Sequence, residues 1–252
     1  MSTKSNNRII RVLLWISLIM NALMLVALAN HLEKKGGISY LMKKFNHQSC
    51  SAHSYEGYYY KMKTGTFREM PADSNAIIIL GNSIADYCDW AEMLSNPLIK
   101  NRGIGGDDII GIYNRVDQIT DARPSKIVFL LDPKDLVFNR TVDTVSFYYE
   151  QIISSIRYKC PDAGILCVSM IAANNTRTSY DFITGINERI RVIARENNAD
   201  FIDVYHTFCT RTNRLDSLYS FDGEHLNGKG YKLLSGVIRQ FIDGREITLP
   251  VN

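Results

Sequence analysis

Short apolar runs separated by helical patterns are the feature that most restricts how this chain can fold. Runs at 76–80, 126–132 and 164–170 have strand length and are rich in β-branched residues, and a shorter candidate lies at 200–204. Continuous apolar runs of this kind are typical of strands that are buried on both faces of a sheet. The sequence therefore predicts a sheet whose two faces are both covered.

Helical patterns occupy the stretches between these runs. Apolar residues recur every three or four positions in three stretches, and a last helix is predicted at 229–241. The residues with this spacing are Ile109, Tyr113, Val116 and Ile119 after the candidate cap Asp107; Val145, Tyr149, Ile152 and Ile156; and Ile183, Ile186, Ile190 and Ile193. Strands that alternate with helices predict an α/β fold with a parallel sheet, right-handed crossovers and helices on both faces.

Polar residues at the ends of the predicted strands are the candidate site residues, because parallel sheets bind ligands at the carboxyl ends of their strands. Gly81 and Ser83 follow the first strand, and Ser83 lies near a helix N-terminus, where negative charge is favoured. A serine there can also be a plain N-cap. A second strand end carries three glycines at 103–106, whose N–H groups can face an anion. These glycines lack the GxGxxG spacing of a nucleotide site.

A carboxylate and a histidine lie close together near the C-terminus, in the stretch Ser-Phe-Asp-Gly-Glu-His at 220–225. A polar surface loop would explain the composition, but Asp222 at this spacing can also hold and polarise His225. His225 would then take the proton of Ser83, and Asp222 would fix the tautomer of the imidazole. The N–H groups of the glycines at 103–106, beside Ser83, would bind the resulting oxyanion.

Composition excludes several classes of protein. A net charge of +3 with scattered lysines and arginines gives no basic surface for nucleic acid. His47, Cys50 and His53 have a faintly metal-like spacing, but three candidate ligands without a fourth partner predict no metal. The five cysteines contain no CxxC pair and are odd in number, which leaves disulfides open without indicating any.

The N-terminus predicts a membrane segment. Residues 12–29 are uncharged and apolar, and they match the roughly 17–25 residues that cross a bilayer. We expect residues 1–31 to form a transmembrane anchor that leaves the catalytic domain exported, on the periplasmic or cell-surface side. Cleavage after the Ala-Leu-Ala sequence at 27–29 would instead give a secreted protein. A connecting region at 32–74 and an α/β domain at 75–252 complete the predicted organisation.

The connecting region is rich in tyrosine. Its tyrosines are Tyr55, Tyr58, Tyr59 and Tyr60. Tyrosines can stack on sugars, but we expect these to pack on the surface of the domain.

The motifs at the strand ends resemble those of the SGNH (GDSL-type) hydrolases, especially small bacterial esterases whose first block reads Gly-Asn-Ser. Ser83 in Ile-Leu-Gly-Asn-Ser-Ile matches the nucleophile block, and Gly106 in Asn-Arg-Gly-Ile-Gly-Gly-Asp-Asp matches the glycine block. Asp222 and His225 match the closing Asp-x-x-His block. Trp90 and the stretch 201–208 also fit, so that the likeness covers about residues 55–243.

The resemblance implies a flavodoxin-like three-layer fold and ester hydrolysis through an acyl-serine intermediate, without a metal or another cofactor. It also implies that the backbone N–H groups of Ser83 and Gly106 bind the oxyanion. It also implies a small-molecule or glycan ester as substrate, with a short acyl group such as acetate. Two alternatives stay open. The same triad could transfer an acyl group to a glycan, or the chain could be a glycan-binding module with impaired catalysis.

One block departs from the family pattern. The family usually has Gly-x-Asn-Asp at the third strand end, and its Asn side chain is an oxyanion donor. This chain has Asp132-Pro133-Lys134-Asp135 there. The Lys134 ammonium can replace the amide as a donor, but it can also pair with a neighbouring carboxylate. Loss of one oxyanion donor typically lowers kcat by about 10²–10³-fold.

Overall fold

In a computed structural model of the chain, the structure describes residues 11, 13–22, 24, 57–174 and 180–249, without the side chains of residues 134, 136 and 137. Two compact units are present, Met1–Ala52 and His53–Asn252. The candidate metal residues His47, Cys50 and His53 lie outside the described residues. The described cysteines Cys88, Cys160, Cys167 and Cys209 are free thiols.

The first unit contains a helical stretch at 13–22 with exposed side chains. The membrane segment predicted at 12–29 is described only in part, since residues 12, 23 and 25–29 lie outside the described set. Among the described residues, no helix has both the length and the apolar character needed to cross a membrane.

The second unit is built on five parallel strands in the order β2-β1-β3-β4-β5. The strands are β1 Ile77–Gly81, β2 Ile99–Gly103, β3 Lys126–Leu130, β4 Gly164–Val168 and β5 Asp200–Ile202. Ile79 at the middle of β1 pairs with Asn101 of β2 on one side and Val128 of β3 on the other. This strand order is the flavodoxin-like one, as expected.

Helices connect the strands in the order that the sequence predicts. The helices are α1 Tyr58–Glu69, α2 Ser83–Asp86, α3 Trp90–Met93, α4 Ile109–Tyr113, α5 Asp117–Thr120, α6 Val142–Lys159, α7 Tyr180–Glu196, α8 Tyr205–Phe208 and α9 Gly228–Ile242, with a 3-10 helix at Pro133–Phe138. Residues predicted to face the core from α6 and α7 are all buried. The periodicity prediction is therefore confirmed for both helices.

Three layers follow from the direction in which the chain crosses the sheet. The chain moves from β1 to β2 in one direction and from β2 through β3, β4 and β5 in the other. Right-handed crossovers in opposite directions place their helices on opposite faces of a sheet. In agreement, α6 contacts both α4 and α7, whereas α9 contacts α3.

The turn at 103–106, here called the glycine turn, is followed by a predicted helix that differs from the expectation in two details. The pattern at 109–119 forms two short helices, α4 and α5, rather than one. The N-cap is Asp108 and not Asp107, because the Asp108 carboxylate accepts the N–H of Gly111 at 2.7 Å. Asp107 is instead buried in an ion pair with Arg115.

Helix α1 lies in the predicted connecting region and packs on the α/β domain. The Tyr60 hydroxyl donates to the carbonyl of Gly111 at 2.9 Å. The Arg102 guanidinium donates to the carbonyl of Met70 at 2.7 Å and lies 4.8 Å from the centroid of the Phe67 ring. The compact unit therefore starts well before residue 75. The prediction that tyrosines of this region pack on the domain is confirmed for Tyr60.

Candidate active site

Ser83 begins helix α2, one residue after the end of the interior strand β1. The backbone makes a close approach at Gly81, where a Cβ atom would lie 1.9 Å from the carbonyl oxygen of Leu130. Only glycine fits at that point. Behind the serine, the Asn101 amide donates to the carbonyls of Ala85 at 2.8 Å and of Cys88 at 3.0 Å. The turn that presents Ser83 is thus fixed at both ends.

The Ser83 hydroxyl donates a hydrogen bond to the carboxylate of Asp132. Both side chains are at least nine-tenths buried. Asn82 orients the acceptor, since its amide donates to Asp132 Oδ1 at 2.8 Å and its Oδ1 accepts the N–H of Asp132 at 3.0 Å. The carboxylate that replaces the family's glycine is therefore the hydrogen-bond partner of the nucleophile candidate.

Asp222 and His225 form the pair that their spacing predicts. His225 Nδ1 lies 2.7 Å from Asp222 Oδ2, and Asp222 Oδ1 accepts the N–H groups of Glu224 and His225 at 2.8 Å each. Burial alone would raise the pKa of Asp222, but these hydrogen bonds, together with the charge of His225, hold that pKa well below its usual range. An ionised Asp222 accepts a hydrogen bond from Nδ1–H, which places the lone pair of the neutral imidazole on Nε2, where it can accept a proton.

The loop that carries this pair is closed by its own contacts and by Asn174. Ser220 bridges to Leu226 as an antiparallel pair. The Asn174 N–H donates to the carbonyl of Gly223 at 2.7 Å, and its side chain exchanges two hydrogen bonds with the backbone of Leu215. The Asp222–His225 pair therefore lies on a braced loop.

Tyr87 brings the His225 loop and the Ser83 turn to the same edge of the sheet. The centroids of the Tyr87 and His225 rings are 5.1 Å apart, and the N–H of Tyr87 donates to the carbonyl of Ser83 at 3.1 Å. Burial raises the pKa of Tyr87, and so do nearby carboxylates that include Asp132 and Asp222. The Tyr87 hydroxyl is thus within electrostatic range of the partners of both Ser83 and His225.

The structure does not join Ser83 to His225 directly. Within the part of the chain that the structure describes, the Ser83 hydroxyl donates to Asp132 and no hydrogen bond links it to the imidazole. A serine side chain changes partners by rotation about its Cα–Cβ bond. The serine–histidine contact therefore stays a prediction. To form it, the Ser83 hydroxyl must give up its hydrogen bond to Asp132.

The predicted oxyanion donors lie at two neighbouring strand ends. Ser83 is the first residue of α2, where a helix has no internal acceptor for its N–H. Gly106 follows β2 with φ +79°, and a Cβ there would meet nothing within 4 Å. Among the described residues, neither N–H has a hydrogen-bond acceptor. Lys134 lies in the 3-10 helix, and the role of its undescribed side chain stays a prediction.

Buried ion pairs stabilise the glycine turn and the residues that follow it. The Arg115 guanidinium binds Asp107 at 2.9 Å and donates to the carbonyl of Gly81 at 2.8 Å. Arg140 binds Asp108 at 2.6 Å, and the fully buried Asp135 accepts the N–H of Ile109. Burial, with the nearby charge of Asp108, raises the pKa of Asp135 well above its usual value. These contacts fix the start of α4 relative to β1 and the 3-10 helix.

Four residues of the site have roles that the motifs did not assign, namely Asn101, Asp132, Asn174 and Tyr87. Asp132 stood out in the sequence only as a departure from the family block. Asn101 and Asn174 act on carbonyls that are distant in sequence, for which a single sequence carries no signal. The sequence could have indicated Tyr87, because a residue four positions after the nucleophile lies on the same side of a helix.

The fold and the site together define an α/β protein of flavodoxin-like topology, with a serine and a histidine–aspartate pair at one edge of its parallel sheet. The family model described as GDSL-like lipase/acylhydrolase matches residues 79–233. The chain belongs to this family, which confirms the resemblance drawn from the motifs. No curated protein sequence matches the chain.

Several solved structures share the fold. A GDSL-like lipase from Bacteroides thetaiotaomicron is 19% identical, with a TM-score of 0.66 over 73% of this chain and 97% of that one. The lipase/acylhydrolase from Enterococcus faecalis is 20% identical, with a TM-score of 0.58 over 70% and 100% of the two chains. A variant of an acetyl-xylooligosaccharide esterase from Geobacillus is 15% identical, with a TM-score of 0.56 over 72% and 99%.

Proposed function

We propose that the protein is a serine esterase that hydrolyses a short-chain acyl ester, such as an acetyl ester on a carbohydrate, through an acyl-serine intermediate. The observation that carries this proposal is the Asp222–His225 pair beside Tyr87, on the edge of the sheet where Ser83 begins its helix. Membership of the acylhydrolase family supports the reaction class.

The residues would act in two half-reactions. His225 Nε2 takes the proton of Ser83 while Oγ bonds to the ester carbonyl carbon and the carbonyl electron pair moves to oxygen. The N–H groups of Ser83 and Gly106 stabilise this oxyanion. Collapse of the intermediate breaks the bond to the alcohol, which takes the proton from His225. Water then repeats the sequence on the acyl-serine and releases the acid.

The acceptor of the Ser83 proton must change before this reaction begins. The hydroxyl donates to Asp132, which with its buried partner Asn82 forms a stable acceptor. Rotation of Ser83 towards His225 exchanges this hydrogen bond for one to the imidazole. The cost of that exchange enters the activation barrier.

A structural neighbour and the open surroundings of the site indicate the substrate class. An acetyl-xylooligosaccharide esterase has the same fold at low identity. The open space at Gly106 and the half-exposed Tyr87 beside His225 suit an ester on a bulky polar alcohol such as a sugar. An acetylated glycan is therefore the first substrate to assay.

Labelling by a fluorophosphonate probe tests the nucleophile. We expect the full-length protein to be labelled at one residue, Ser83, and the Ser83→Ala variant to be unlabelled, because the probe reacts only with an activated serine. Peptide mass spectrometry locates the label, and acetate release from an acetylated xylooligosaccharide is measured in parallel. Labelling of the Ser83→Ala variant at the same stoichiometry would remove Ser83 from its role.

We also propose that the protein is held at a membrane with its catalytic domain exported, or secreted after cleavage. The proposal is supported by the length and the uncharged, apolar character of segment 12–29. Alkaline extraction of cell membranes should leave an anchored protein in the membrane fraction. Recovery of the uncleaved chain in the cytoplasmic fraction would contradict both forms of the proposal.

A further inference from the structure

A buried carboxylate connects helix α1 to the glycine turn of the site. Asp86, at the end of α2, has a side chain that is only 5% exposed. Its Oδ1 accepts the Lys63 ammonium at 2.5 Å, and its Oδ2 accepts the Tyr59 hydroxyl at 2.7 Å. The same Oδ2 accepts the N–H of Gly105 at 2.8 Å, next to the oxyanion donor Gly106. Two residues of α1 and the backbone of the glycine turn thus bind the same carboxylate.

A backbone hydrogen bond from the N–H of Asp107 to the carbonyl of Ile104 at 3.1 Å also closes the turn. Gly106 has a left-handed backbone, and a Cβ there would touch nothing within 4 Å, so side-chain packing does not hold that residue. At Gly105, in contrast, a Cβ would lie 2.9 Å from the Tyr87 ring. The hydrogen bond from Gly105 to Asp86 therefore contributes directly to the direction in which the next N–H points.

Lys63 and Tyr59 keep the Asp86 carboxylate in place. A buried carboxylate that loses its cation is strongly destabilised and turns towards water. The hydrogen bond to Asp86, followed by burial, raises the pKa of Tyr59 to about 12, so the hydroxyl remains a donor at all ordinary pH values. The Lys63 ammonium also lies over the Phe67 ring, 5.5 Å from its centroid.

We propose that Lys63 and Tyr59 are positioning residues for the oxyanion donor Gly106 and act through Asp86 and Gly105. Helix α1 precedes the segment 79–233 that matches the family model, so this contribution comes from outside the matched domain. The inference rests on the proposed function, since it assigns Gly106 the role of an oxyanion donor.

Kinetics of full-length variants separate positioning from simple helix docking. Lys63→Met removes the ammonium but keeps an unbranched side chain. We expect kcat for an aryl acetate to fall about tenfold with KM unchanged, a fraction of the roughly 10²–10³-fold cost of a lost oxyanion donor. Tyr59→Phe should act in the same direction. Lys61→Met is the matched control, because Lys61 is exposed on the same helix, and should leave both constants unchanged.

A second measurement does not depend on catalysis. Amide hydrogen exchange of the full-length protein should show faster exchange at Gly105 in Lys63→Met than in wild type, and no change in Lys61→Met. Unchanged exchange at Gly105 together with unchanged kcat would overturn the inference. Faster exchange in a protein whose wild type neither hydrolyses esters nor reacts with a fluorophosphonate would support the contact network and refute the proposed function instead.

Discussion

Replacement of Asp222 by asparagine is expected to lower kcat/KM for ester hydrolysis by about 10⁴-fold, the size seen when a triad carboxylate becomes an amide. The amide keeps the size of the side chain but can donate to His225 Nδ1, which would stabilise the tautomer that carries its proton on Nε2. That tautomer cannot take the proton of Ser83. The rate constants are measured on an aryl acetate and on an acetylated glycan.

Glu224→Gln is the matched control for this change. Glu224 lies in the same loop and is exposed, and its N–H, rather than its side chain, bonds to Asp222. The control should keep the wild-type rate. If Asp222→Asn also kept that rate while binding a fluorophosphonate normally, the pair with His225 would have only a structural role, and the proposed mechanism would be wrong.

Replacement of Asp132 by glycine, the residue usual in the family, is expected to raise kcat/KM by roughly ten- to hundredfold. The Ser83 hydroxyl must leave the Asp132 carboxylate before it can donate to His225. A hydrogen bond to a charged group contributes about 1.5–3 kcal/mol, and each 1.36 kcal/mol of barrier is about tenfold in rate. The variant also removes a negative charge from the neighbourhood of the oxyanion.

One structural observation and one control variant help to interpret the Asp132 experiment. The backbone of residue 132 still accepts from the Asn82 amide and donates to Asn82 Oδ1 in the glycine variant, so the turn keeps part of its support. Asp132→Asn removes the charge but keeps an acceptor for Ser83, and should give a smaller gain. A large loss of activity in both variants, with the melting temperature unchanged, would mean that Asp132 itself receives the serine proton.

The apolar strands and the three long helices α6, α7 and α9 were predictable because their signals are local. The runs that became β1, β3 and β4 are apolar because both faces of a central parallel strand are buried. The edge strand β2 reads Ile-Lys-Asn-Arg-Gly and is only partly buried, so its apolar pattern is weak. It was placed through the glycines that follow it. Helix α1 was missed because its sequence lacks a sustained apolar period, and its position depends on contacts with the domain.

Asp222 and His225 are three positions apart, and the N–H groups of Glu224 and His225 bond to the Asp222 carboxylate. Short-range geometry was therefore enough to predict the contact. The strand ends likewise fixed which loops carry Ser83 and Gly106, because parallel strands all end at one edge. The amino-acid sequence by itself thus determined the family, the sheet and the candidate triad.

The partner of the Ser83 hydroxyl and the support of the glycine turn were decided only by the tertiary structure. Asp132 is 49 positions from Ser83, and Lys63 is 23 positions from Asp86. Several carboxylates lie near the strand ends. Side-chain directions and burial decide which of them accepts a hydrogen bond from a given hydroxyl or ammonium. These are fixed only when β1, β3 and α1 pack together, and no local pattern in the chain encodes them.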